Sequence, residues 1–159
     1  MTSLFHLGWP AVISSARTAI AAAASFLIAR LFGMPEAYWA TISTLVVMQS
    51  TLGASLKISE GRFIGTLLGA SAGGLLARYL PQVWWVFTLG IFLLGLLCIL
   101  LRLESSYRFA GITLAIVVLI PHTAAPWVVA LHRFIEVSIG IVVGLAVTVI
   151  WPEGVASEA

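Results

Sequence analysis

The sequence predicts an all-α integral membrane protein of six transmembrane helices, arranged as two inverted three-helix repeats. Three observations carry this reading. The chain of 159 residues is 61% hydrophobic and 9% charged, where a soluble domain averages about 25% charged. One small core cannot hide that much apolar surface from water. The apolar residues fall into six helix-length segments, and helices satisfy their own backbone hydrogen bonds in lipid. Finally, one phrase is written twice: "GRFIGTLLGASAG" from Gly61 returns as "HRFIEVSIGIVVG" from His132.

Segment one covers residues 11–32. The start "MTSLFHLGWP" lacks a basic n-region, so this run reads as a retained span rather than a cleaved signal. It contains Arg17, two turns in, beside Ser14, Ser15 and Thr18; a charge inside a span faces a partner or a wet cavity. Segment two, 37–52, mixes Thr41, Ser43, Thr44, Gln49, Ser50 and Thr51 into its apolar background, which makes a wet face with Gln49 as a candidate substrate contact. Tyr38 and Trp39 at its start suit an interfacial belt. Segment three, 62–80, opens on Arg62. Segment four, 83–101, holds the single cysteine, Cys98, which has neither a disulfide partner nor a metal-ligand cluster. Segment five, 107–120, would reach only about 21 Å as a helix, so it must end inside protein or lean on its neighbours. Segment six, 133–151, opens on Arg133. All six prolines stand at or between segment ends, where a missing N–H costs little.

The repeat places Arg62-Phe63-Ile64 on Arg133-Phe134-Ile135 at an offset of 71, with Gly69 on Gly140, Gly73 on Gly144 and Pro81 on Pro152. At an offset of 70, segment two follows segment five, with Trp39 on Phe109 and Ala40 on Ala110. Repeat one is residues 11–81 and repeat two 83–152. Each holds three spans, an odd number, so the second enters from the opposite side, as in many secondary transporters. Lys57, Arg62, Arg102 and Arg108 collect on one face against Arg30, Arg78 and Arg133 on the other, a weak bias toward cytoplasmic termini.

Arg62 and Arg133 are read as standing where helices begin. Free N–H groups and the helix dipole there, with a guanidinium added, attract a carboxylate. Inversion would set these two stations at opposite mouths of one path, and the two arginines should then fail alike. The competing reading has each arginine anchoring its helix at the lipid headgroups. Glu136, one turn after Arg133, forms a neutralising i,i+3 pair with it or serves as a proton-coupling carboxylate. Gly65, Gly69 and Gly73, like Gly140 and Gly144, form small-residue stripes that let helices approach closely; segments three and six are expected to pack on each other along them. His122 and His132 flank a loop and read as solvated.

"YWATISTLVVMQSTLGASLKISEGRFIGTLLGASAGGLLA", residues 38–77, resembles the membrane module of the fusaric acid resistance (FUSC) family, which sits with the aromatic acid exporters and is related to the plant aluminium-activated malate transporters. Tyr38-Trp39-Ala40, the "TLGAS" turn, and Arg62 followed by Gly65-Thr66 and Gly69 carry the likeness. "ARTAIAAAASFLIARLFGMPEAYWA" extends it upstream through Arg17. The resemblance implies six membrane helices, export or channelling of organic anions, and oligomers. It makes Arg62 an anion-path residue. Many family members are much longer than this chain.

No phosphate-binding glycine loop, metal cluster or nucleophile–base set is present, and no Lys/Arg block points to nucleic acid. The expectation is a non-enzymatic efflux transporter without a cofactor. It would sit in the bacterial inner membrane, take aromatic or related carboxylates, and form a homo-oligomer, with a dimer favoured. An anion channel, or a membrane subunit that scaffolds a partner protein, is the alternative.

Overall fold

The computed structural model describes residues 9–48, 51–121 and 123–152. They form six α-helices: α1 (Trp9–Leu31), α2 (Tyr38–Val47), α3 (Leu52–Tyr79), α4 (Trp84–Leu100), α5 (Tyr107–Leu119) and α6 (Pro126–Ile150). No strand occurs among the described residues.

The bounds of α3 correct the sequence reading. The polar, glycine-containing stretch before Arg62 looks like a loop, yet it is helical. Thr51 caps the helix by accepting from the Ala54 N–H at 3.3 Å, and Lys57 and Glu60 sit on its exposed side. Helical hydrogen bonding does not require apolar side chains, so hydropathy placed the start ten residues late. α6 likewise begins at Pro126, whose missing N–H is harmless in the first turn. Arg62 therefore lies about 15 Å into its helix and Arg133 about two turns in, not at helix N-termini.

Each outer helix buries one stripe at spacing four: Arg17, Ala21, Ser25 and Ala29 on α1, and Val86, Gly90, Leu94 and Cys98 on α4. Their remaining faces carry exposed large side chains such as Leu27, Leu31, Phe92 and Leu100. A belt of that kind is unfavourable against water and suited to an apolar surrounding. α1 and α6 are long and apolar enough to cross a bilayer. α2, α4 and α5, at 10, 17 and 13 residues, fall short of a hydrocarbon core about 30 Å thick. α3 has the length but carries Lys57, Glu60 and Arg62.

α3 and α6 form the centre and run antiparallel. Phe63 packs on Phe134, Gly74 lies against Ala130, and Ile58 joins a cluster with Ile141. α3 also packs on α5, and α6 on α2; α1 covers α2 and α6, and α4 covers α5 and α3. Every pairing recurs when α1, α2 and α3 are exchanged for α4, α5 and α6.

The glycine stripes serve different partners from those the sequence suggested. A Cβ on Gly65 would collide with the carbonyl of Ser106, the N-cap of α5, and one on Gly69 with the carbonyl of Ala110 on α5, while one on Gly73 would press on Val117 at 3.0 Å. A Cβ on Gly140 would meet the Ala40 carbonyl, and one on Gly144 the Val47 side chain at 3.3 Å, both on α2. The stripes thus admit the short helices, while α3 and α6 meet through Phe63, Phe134 and Gly74. Thr44 ties the α2–α6 approach by donating to the Gly140 carbonyl at 3.0 Å.

Candidate functional site

The seating of α2 and α5 decides where the first turn of each points. Pressed onto Gly140, α2 lays the Trp39 ring 4.7 Å from the Arg133 guanidinium carbon. Pressed onto Gly65 and Gly69, α5 lays the Phe109 ring 5.2 Å from that of Arg62. These are cation–π distances. Trp39 and Phe109 are the aligned aromatics of the two halves, so the chain builds one cation-under-ring unit twice.

Both units open on one cavity of about 10 Å³, lined by Trp39, Arg62, Thr66, Phe109, Thr113, Arg133 and neighbouring apolar residues. That is room for about one water molecule. The two arginines are thus brought together inside the bundle rather than set at opposite surfaces. Neither counts toward the charge balance of a membrane face.

Their partners differ. Arg62, 5% exposed, donates from Nη2 to the Ser43 hydroxyl at 3.1 Å. Its Nε has no hydrogen-bond partner, and no carboxylate pairs with it among the described residues. Arg133, 3% exposed, donates from Nη1 to Glu136 Oε2 at 3.1 Å, and its Nη2 pairs with Glu36 Oε2. The Glu36 carboxylate also accepts from Tyr38 Oη at 2.9 Å and from Trp39 Nε1 at 3.1 Å. The backbone N–H of Glu36 donates to Glu136 Oε1 at 3.1 Å. A buried ion is expensive unless paired, so Arg133 is compensated and Arg62 is left with its charge.

Arg17 is buried elsewhere. Its Nη1 donates to the Trp151 carbonyl at 2.8 Å, so it fastens α1 to the end of α6 and is not among the residues lining the cavity. Gln49 and His122 lie outside the described residues. Glu36 and Trp39 were not legible as site residues. Glu36 falls between segments one and two, and Trp39 reads as an interfacial aromatic. The alignment of Trp39 with Phe109 in the repeat was the available signal, since an aromatic at the same place in both halves is more than membrane anchoring requires.

A helical bundle with an apolar outer face and buried cations at its centre is the architecture of a membrane-embedded module. Residues 21–147 match the family model described as fusaric acid resistance protein-like, and the chain belongs to that family. It is 34% identical over 146 residues to the "Uncharacterized transporter YdhK" of Escherichia coli (strain K12), covering 86% of this chain and 22% of that protein. It is 32% identical over 150 residues to the "Inner membrane protein YeeA" of the same organism, covering 89% of this chain and 41% of that one. The "Inner membrane protein YccS", also of that strain, is 28% identical over 135 residues, covering 80% and 18%. The chain thus spans under half the length of each of these relatives. No solved structure matches it.

Proposed function

We propose that this chain is a transport module for organic anions in a bacterial inner membrane, with Arg62 receiving the carboxylate of an aromatic or related acid. The observation that carries the reading is Arg62 itself: a buried guanidinium on the cavity wall with no carboxylate partner among the described residues. An ionisable residue inside a membrane bundle is expensive and is kept for function. Arg62 offers a cation with an open Nε donor, and Phe109 and Trp39 supply apolar walls for a ring. The names of the relatives, a transporter and inner membrane proteins, support the setting.

In this reading all six helices lie in the membrane as two inverted repeats. The antiparallel α3–α6 pair and the exchange of helix contacts support that arrangement. The short α2 and α5 end inside the protein, where they frame the path. The cavity holds about one water, so admitting an acid requires α2 or α5 to move, as in a gated transporter. The termini are placed in the cytoplasm and the working unit is a homodimer. The alternative in which the chain is one piece of a larger assembly draws on its covering 22% of the transporter relative.

The test is uptake of radiolabelled benzoate and malate into liposomes that contain only this chain. Flux above empty liposomes that falls at least tenfold in Arg62→Ala supports the reading. Flux unchanged in Arg62→Ala overturns the role of Arg62, and no flux from the purified chain favours the assembly alternative.

A further inference from the structure

Arg133 has one more carboxylate than it needs. Glu136, on the same helix and fully buried, already balances it, yet Glu36 reaches in from the turn between α1 and α2 and pairs with the same guanidinium. With both carboxylates ionised, the cluster carries a formal charge of −1. Arg133 is therefore balanced by Glu136 before Glu36 is counted.

One oxygen of the Glu36 carboxylate is met by a guanidinium, an indole N–H and a phenolic hydroxyl. Those three donors converge as they would on the carboxylate of a ligand. Glu36 is 27% exposed whereas Glu136 is at 0%, so Glu36 is the member of the pair on the accessible side. In the other half the residue aligned with Glu36 is Ser106, and Gly65 aligns with Glu136. Arg62 there has neither carboxylate. The two aromatic-covered arginines differ in that one is bare and the other is filled by the chain's own side chain.

We propose that Arg133, Trp39 and Tyr38 form a second site for a monocarboxylate, and that Glu36 is a tethered carboxylate holding that site until a transported anion displaces it. This rests on the reading of Arg62 as the first anion site. Glu136 stays with Arg133 throughout, and its bond from the Glu36 amide holds the turn while the Glu36 carboxylate is docked. A tethered group competes at an effective concentration in the millimolar range or above. An external anion therefore reaches Arg133 only against that competitor, and removing it should tighten apparent binding by about tenfold or more.

Benzoate flux into liposomes as a function of concentration tests this on the full chain. Glu36→Gln should lower the half-saturating benzoate concentration about tenfold, a gain that structural damage does not produce. An unchanged or raised half-saturating concentration in Glu36→Gln, with flux still lost in Arg62→Ala, overturns this proposal and leaves the Arg62 reading standing. Flux unaffected by Arg62→Ala removes both. Should Glu36→Gln not be recovered folded, the wild type decides alone by hydrogen exchange. Saturating benzoate should speed exchange of the Glu36 amide, because its bond to Glu136 is lost when the Glu36 side chain leaves; slower or unchanged exchange overturns the proposal.

Discussion

The rings of Phe63 and Phe134 meet with centroids 5.1 Å apart and planes inclined by 55°, so the phrase the chain writes twice packs against its own second copy. Each phenylalanine follows one of the buried arginines, and this contact brings Arg62 and Arg133 to the walls of a single cavity. Their equivalence ends at their partners, and their substitutions should diverge accordingly.

Arg133→Ala removes the guanidinium with which both Glu36 and Glu136 pair. Breaking a buried pair from one side costs about 3–5 kcal/mol, and thermal unfolding in detergent should show that loss. Arg62→Ala removes a buried charge that no described carboxylate compensates. It should leave stability unchanged or raised while flux falls. Equal destabilisation by both variants would contradict the partner assignment.

Gly69→Ala and Gly140→Ala each drive a methyl group into a backbone carbonyl of the facing helix. Overpacking of this kind costs about 1–3 kcal/mol. Gly53→Ala, where nothing lies within 4 Å, gains about 0.5–1 kcal/mol from helix propensity. Chemical unfolding of the three variants measures the contrast, which helix propensity alone would give the opposite sign at positions 69 and 140.

α1 and α4 end alike. After α1, the N–H of Met34 donates to the Ala29 carbonyl with Gly33 at φ 70°. After α4, the N–H of Leu103 donates to the Cys98 carbonyl with Arg102 at φ 57°. The left-handed conformation costs a non-glycine residue about 1 kcal/mol. Arg102→Gly should therefore stabilise the protein by about 1 kcal/mol, and Gly33→Ala should destabilise it by a similar amount, as read by thermal unfolding.

Arg17→Ala removes the charged hydrogen bond to the end of α6. A loss of about 1.5–3 kcal/mol is expected, with the half-saturating benzoate concentration unchanged. A large rise in that concentration would instead place Arg17 on the anion path.

Composition and the repeat determined much on their own: an all-helical chain, its membrane-compatible surface, the prolines at or between helix ends, the short second and fifth segments, and the two arginines as a matched pair, while the family was carried by the motif residues between Tyr38 and Gly69. These are local or periodic properties, and a sequence displays them directly. Tertiary structure decided the remainder. Hydropathy could not show that α3 starts at Leu52, because polar residues on an exposed helix face are invisible to an apolar count. The pairing of Gly69 with Ala110 and of Gly140 with Ala40 depends on which helices are neighbours. Glu36 and Glu136 converge across one hundred residues, and nothing near Glu36 in the chain announces Arg133. Which arginine keeps its charge is therefore settled by packing, since a counter-charge acts through distance in space rather than in sequence.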